Sequence, residues 1–289
     1  MKVIPANPRG YCHGVVTAMR MAREVVAQAN GPVYMLGYLV HNEHLTNELE
    51  ELGITLIDAD DRLAGLEEVR EGTVIFTAHG ISPAVRELAR AKGLDCVDTT
   101  CSDVDSTHAL IVEKVAAGFQ VIYVGRRGHP EALGCVGEAP DAVHLVQDVD
   151  DVQALTINAS KIAVTTQTTL SVWDTATVIR AIKARYPEAE VHNEICLATQ
   201  DRQEAVIAAA AEADLVLVVG SSRSSNSRRL VEVAEQRTGK PAYLVDSTAD
   251  INPEWLRGCA AVAVSSGAST PSLLTRDVIR HLEALLVTG

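Results

Sequence analysis

The sequence predicts an α/β fold of three pseudo-threefold-related units, each built on a small parallel sheet, around one shared site. The first observation behind this is a repeat. A cysteine leads a helix-like segment three times: Cys12 ahead of residues 15–29, Cys101 ahead of 103–118 and Cys196 ahead of 203–213. A strand-like run then ends in glycine 25, 24 and 24 residues past each cysteine, at Gly37, Gly125 and Gly220. Polar tips follow at His41-Asn42, His129-Pro130-Glu131 and Ser224-Ser225-Asn226, beginning 29, 28 and 28 residues past the cysteine. Another strand later come Thr77-Ala78-His79-Gly80, Thr166-Gln167-Thr168-Thr169 and Ser266-Gly267-Ala268-Ser269. His79 and Thr168 both stand 67 residues past their cysteine, and Ser269 stands 73 past its own. Self-similarity at a fixed period marks internal repeats. The second observation is the alternation of strand-like and helix-like segments along the chain, the pattern of parallel sheets covered by helices. The third is composition: 47% of the 289 residues are hydrophobic but only 3% aromatic, so a sizeable core is packed from Val, Leu, Ile and Ala.

In chain order, a strand over residues 2–4 opens the first unit, residues 1–97, and the helix at 15–29 follows. Apolar runs at 33–36, 54–57 and 73–76 read as strands. Between and after them lie a helix at 42–52, a short polar helix near 63–69, and a helix at 82–92 whose Pro83 suits a first turn. A short strand at 94–97 closes the unit. The second unit, 98–192, has strands near 121–124, 144–146 and 162–164 and a helix at 172–186. The third, 193–289, has strands near 215–219, 243–245 and 261–264 and a final helix at 271–286. Each polar tip follows a strand and precedes a helix, which places it at the strand ends where open parallel sheets bind ligands.

Charge and composition exclude several classes. A net charge of −13 argues against a nucleic-acid partner, which requires a basic face. The N-terminus enters a strand without a charged start, an apolar run and a cleavage site, so no targeting segment is expected. The longest apolar region, 206–220, is broken by Glu212 and Asp214, so no membrane partner is expected either. The expected address is cytoplasmic, and in that reducing compartment six cysteines point to metal or redox chemistry rather than disulfides.

The residue types at the tips narrow the chemistry. A thiol at a helix N-terminus feels the positive end of the peptide dipoles, which stabilises the thiolate as ligand or nucleophile. Cys12, Cys101 and Cys196 lack the paired spacing of a typical zinc site. Three equivalent thiolates read as ligands of one metal centre, and a [4Fe-4S] cluster held by three cysteines keeps one iron position open for Lewis-acid work. A three-thiolate zinc hydrolase, a non-catalytic iron–sulfur sensor and three packed structural thiols are the other readings. Cys96, Cys135 and Cys259 have no counterparts in the repeat and read as buried, inert thiols. His41, His79 and His129, the hydroxyls of Thr168, Thr169, Ser224, Ser225 and Ser269, and the Asn226 amide together suit a phosphate or diphosphate at helix N-termini. No Gly-x-x-x-x-Gly-Lys loop is present, so this is not a P-loop nucleotide site. Glu131 is the one acidic group within a tip; it reads either as a proton carrier or as an ordinary helix-start residue.

At these residues the sequence closely resembles the LytB family of 4-hydroxy-3-methylbut-2-enyl diphosphate reductases. The matching pieces are NPRGYCHGV, VHN, TAHG, HPE, TQTTLS, EICLATQDRQEAV, SSNSRRL and SGAST, which run from Asn7 to Thr270. The resemblance implies a trefoil of three α/β units around a [4Fe-4S] cluster held by Cys12, Cys101 and Cys196. It implies a diphosphate clamp of His41, His79, Ser224, Ser225, Asn226 and Ser269, with His129 close by, and Glu131 with Thr168 as the proton-delivery pair. It further implies reductive removal of the substrate hydroxyl with two electrons and two protons, yielding isopentenyl and dimethylallyl diphosphates, with ferredoxin or flavodoxin as electron donor. Two departures stand out. The family commonly reads Ala-Thr-Cys-Pro at the second ligand, whereas this chain has Thr99-Thr100-Cys101-Ser102, where Ser102 is expected to loosen the loop. Cys135 stands where an unreactive residue is usual.

Overall fold

The computed structural model describes residues 1–59 and 61–285. Its strands form three four-stranded sheets in which every pairing is parallel. The first sheet runs Ile54–Ile57, Val33–Leu36, Thr73–Phe76, Asp95–Asp98; the second runs Val143–Val146, Gln120–Val124, Ile162–Thr166, Glu190–Val191. The third runs Ala242–Val245, Leu215–Val219, Ala261–Ser266, Lys2–Pro5. Each sheet therefore repeats one order along the chain: second strand, first, third, fourth. The last sheet takes its fourth strand from the N-terminus. Lys2–Pro5, which the repeat places with residues 1–97, pairs with Ala261–Ser266, because only the N-terminal segment is left to cover that edge.

The chain forms two compact units. Met1–His13, His41–Leu45 and the residues from Cys196 onward make one, which contains the third sheet; Gly14–Val40 and Thr46–Ile195 make the other, which contains the first two. Strands buried on both faces read as continuous apolar runs, and alternate residues then serve opposite cores. In the second sheet Ile122, Val124, Ile162 and Val164 face one core, while Val121, Tyr123 and Ala163 face the other with Ala132 and Cys135. In the third, Leu215, Leu217, Val219, Val262 and Val264 pack with Val278 and Leu282 of the last helix. Each such side chain contributes roughly 1.5–3 kcal/mol when fully buried.

Most expected elements stand within a few residues of their places. The helix expected from 203 instead spans Leu197–Ala211 and starts directly after Cys196, its N-cap. Ser225–Thr238, expected after its polar tip but without bounds, takes definite ends, and Val149–Ala154 and the two-residue strand Glu190–Val191 were not foreseen. The first of these begins in a polar run that looks like loop, but the Ser224 hydroxyl accepts the Ser227 N–H at 3.2 Å and caps a helix. The final helix is Ser272–Leu285; its expected end, Leu286, lies outside the described residues. Among the described residues no helix is long and apolar enough to cross a membrane.

The core assignment is checked by a pair of truncations. Leu217→Ala, at a fully buried position in a central strand, should cost about 2–5 kcal/mol in urea unfolding. Leu273→Ala, at a side chain 55% exposed, should stay within about 0.5 kcal/mol of wild type.

Candidate active site

In the unit built from Gly14–Val40 and Thr46–Ile195, the strands Gln120–Val124 and Ile162–Thr166 are hydrogen-bonded neighbours, so the loops that leave them lie side by side. Gln167 joins these loops: its Oε1 accepts the Arg126 N–H and its Nε2 donates to Thr169 Oγ1, both at 2.9 Å. His129 caps the helix Pro130–Gly137, its Nδ1 accepting the Glu131 N–H at 3.2 Å. That bond leaves Nε2 as the proton-bearing nitrogen of the neutral ring. The His129 ring meets His79 edge to face, with centroids 5.6 Å apart. Arg62 braces the His79 tip by donating to Gly80 O at 2.8 Å and Thr77 Oγ1 at 3.1 Å. Burial lowers its pKa to about 10. Gly80 has a positive φ of 78°, and a Cβ there would lie 2.7 Å from His108 Nε2, so glycine meets both the turn and the close approach.

Glu131 is only 1% exposed. Its Oε1 accepts the Thr168 N–H at 2.7 Å, and its Oε2 accepts the Thr168 hydroxyl at 3.0 Å. The Tyr123 hydroxyl donates to Oε1 at 3.5 Å. Burial pushes the Glu131 pKa up to about 7; the Thr168 bonds, the charge of His108 and the Tyr123 bond oppose that rise without cancelling it. The carboxyl is thus poised to hold or release a proton near neutrality, which helix capping does not require. Cys135 is fully buried beside this group and burial pushes its thiol well up, so it is the inert thiol expected from sequence.

The unit containing Cys196 onward holds the remaining tips. His41 precedes the helix Glu43–Glu51, and its carbonyl accepts the Ser269 hydroxyl at 3.5 Å. Asn42 is fully buried and its Oδ1 accepts the Leu45 N–H at 3.2 Å. Ser225, Asn226 and Ser269 are buried as well. Asn226 is 6% exposed, and neither its Oδ1 nor its Nδ2 has a hydrogen-bond partner. A buried amide left unsatisfied at both ends is costly, which points to a polar ligand that completes it.

None of the six cysteines is in a disulfide. Cys101 and Cys196 are N-caps of Ser102–Ala116 and Leu197–Ala211, and Cys12 directly precedes His13–Gln28. All three are partly exposed. The Cys12 N–H donates to Ala268 O at 3.0 Å, and Cys196 Sγ lies 3.1 Å from Thr199 Oγ1. The loop before Cys101 is tied down by backbone and side-chain bonds. Thr99 N–H and Oγ1 donate to Phe76 O at 3.0 and 2.6 Å, Thr100 N–H to Asp98 Oδ1 at 2.9 Å, and Cys101 N–H to Ala78 O at 3.1 Å. Cys96 departs from expectation: it is exposed, because it lies on an edge strand with a single pairing partner. Cys259 is partly buried and packs against the core of the third sheet.

The model of the family described as LytB protein matches residues 3–283. The chain belongs to the LytB family. The LytB chain is 55% identical over 286 residues to a 4-hydroxy-3-methylbut-2-enyl diphosphate reductase of Symbiobacterium thermophilum, covering 98% of this chain and 97% of that one. It is 51% identical over 285 residues to the protein of the same name from Halalkalibacterium halodurans, covering 98% and 91%. Among solved structures, the E-1-hydroxy-2-methyl-but-2-enyl-4-diphosphate reductase of Plasmodium falciparum superposes with a TM-score of 0.92 at 34% identity, covering 97% of the LytB chain and 87% of that one. An (E)-4-hydroxy-3-methyl-but-2-enyl diphosphate reductase, described as the terminal enzyme of the non-mevalonate pathway, gives 0.69 at 32% identity, covering 98% and 100%.

Three residues that brace these tips and the cysteine loops went unnoticed in the sequence, Arg62, Tyr123 and Arg202, while Gln167 was seen within a polar tip but given no role. Arg202 carried a readable signal. Thr199, Arg202, Gln203, Val206, Ala209 and Ala210 are the buried stripe of their helix, at helical spacing, and an arginine is out of place in such a stripe. Tyr123 looked like any core aromatic.

The Glu131 pKa makes a stability prediction with a definite sign. Its folded value is raised from 4.5 to about 7, so the stability it contributes is fully present below pH 4.5 and is lost as the pH rises through 7. Glutamine does not titrate. From about pH 4.5 to about pH 8 the Glu131→Gln variant should therefore gain about 3 kcal/mol on wild type in paired urea unfolding curves. A difference that does not change with pH would place the carboxyl in its ordinary range.

Proposed function

We propose that this chain reduces 4-hydroxy-3-methylbut-2-enyl diphosphate to isopentenyl and dimethylallyl diphosphates, the last step of the non-mevalonate isoprenoid route. The observation that carries the reading is the buried Glu131–Thr168 pair, in a chain half or more identical to reductases of that name. In the reaction the allylic C–O bond breaks, a C–H bond forms and the hydroxyl leaves as water, which consumes two electrons and two protons. When Glu131 is protonated the 3.0 Å contact can reverse, with Oε2–H donating to Thr168 Oγ1, so the threonine hydroxyl can turn outward, pass a proton on and be refilled by the carboxyl. His129, whose Nδ1 is engaged by the Glu131 N–H, presents Nε2–H as a donor to an anionic substrate. His41, His79, Thr169, Ser224, Ser225, Asn226 and Ser269 serve the diphosphate, with helix N-termini supplying further N–H groups. The open amide of Asn226 is the strongest support for that role.

The donor set fits an iron–sulfur group. Three partly exposed cysteines, each at a helix N-terminus, make such a ligand set, and Cys12, Cys101 and Cys196 would hold a [4Fe-4S] cluster. When bound, the cluster supplies the electrons and one Lewis-acidic iron position. A ferredoxin or flavodoxin would deliver electrons to it, in the cytoplasm.

The reading is tested with protein purified and reconstituted anaerobically, given dithionite and the diphosphate. Consumption of substrate with release of both isoprenoid diphosphates is expected. A brown protein without turnover would indicate a sensor instead, and a colourless zinc protein would remove the cluster. In the same assay, Glu131→Gln should lower turnover by about 10²–10⁴ while substrate still binds. Asn226→Ala should weaken substrate affinity roughly ten- to a hundredfold with the visible absorption intact.

A further inference from the structure

Arg202 is a buried cation without a buried anion to match it. It is 3% exposed. One terminal nitrogen donates to Ala198 O at 2.7 Å and the other to Gly10 O at 2.6 Å, while Nε has no partner. No carboxylate pairs with it among the described residues. A guanidinium remains protonated in a protein, and leaving one buried and unpaired costs several kcal/mol. Burial does lower its pKa, and the groups whose negative charge opposes that are Cys12, Cys196 and, last, Asp201. The arginine therefore lies within electrostatic reach of both thiols, which metal ligation would hold in the anionic form.

Its backbone bonds add a second role. Gly10 belongs to the loop that carries Cys12, and Arg202 sits on the helix that Cys196 caps, so the Gly10 bond ties the two ligand-bearing segments together. We propose that Arg202 is the fixed counter-charge of the group held by Cys12 and Cys196, bracing both segments and raising the reduction potential of the bound cluster. This rests on the cluster reading above. A [4Fe-4S] core with three thiolates is net negative and becomes more so on reduction, so a nearby fixed cation stabilises the reduced state preferentially. Arg202 is a positioning residue; it transfers nothing itself.

The test is a redox titration of anaerobically reconstituted wild type, Arg202→Lys and Arg202→Gln, read by electron paramagnetic resonance, with iron content measured alongside. Removing the charge should shift the one-electron reduction equilibrium about tenfold toward the oxidised form, about 59 mV. Lysine keeps the charge and should stay within about threefold of wild type. An unchanged potential in the glutamine variant would overturn the inference, as would a tenfold shift in the lysine variant. If the glutamine variant does not fold, the lysine variant decides. If neither folds as apoprotein, the residue serves packing and the inference fails. A wild-type protein that assembles no cluster would instead overturn the reading on which it rests.

Discussion

Because every strand pair runs parallel, a chain leaving one strand must cross back through a helix, and the strand-to-helix loops of each sheet gather at one end. The polar tips all sit in such loops. The same constraint explains the cysteines, since each follows the fourth strand of a sheet: Lys2–Pro5 before Cys12, Asp95–Asp98 before Cys101, Glu190–Val191 before Cys196. The N-terminal strand completes the last sheet and thereby gives the first cysteine the same structural setting as the other two.

Two buried charges stand out against this apolar framework. Glu131 is surrounded by donors, yet burial still keeps its proton affinity high. Arg202 donates to two carbonyls, and among the described residues no carboxylate neutralises it. A neutral carboxylic acid beside a hydroxyl is a proton source; a cation beside thiols favours negative charge on them. The buried amide of Asn226, without a hydrogen-bond partner among the described residues, is a third polar group of this kind.

The repeat made the sheets and the tips legible, because strand-end glycines and polar clusters recur at nearly constant offsets. The strands at 54–57, 73–76 and 215–219 were read to the residue, since their apolar runs end sharply at polar or glycine residues. What escaped notice has a physical reason in each case. The helix Ser225–Thr238 had no readable bounds, because it begins in serines that act as a cap rather than a loop, and the charged run after them hides its buried side. Lys2–Pro5 pairs with a partner more than 250 residues away, which no local pattern reveals. Glu131 was legible as a candidate, but its proton affinity depends on burial against Tyr123 and Cys135, which only the fold brings about. Cys96 was read as buried because it has no counterpart in the repeat, although its edge strand leaves it exposed.

The central claim is that Cys12, Cys101 and Cys196, and no other thiols, hold one redox group. Its most direct test replaces each of the six cysteines with alanine in turn and measures iron, sulfide and the Mössbauer spectrum after anaerobic reconstitution. The account predicts a [4Fe-4S] spectrum with one iron distinct from the rest in wild type and in the Cys96, Cys135 and Cys259 variants, and its loss in each of the other three. An intact cluster without Cys12, Cys101 or Cys196, or a cluster that needs Cys96, would contradict it.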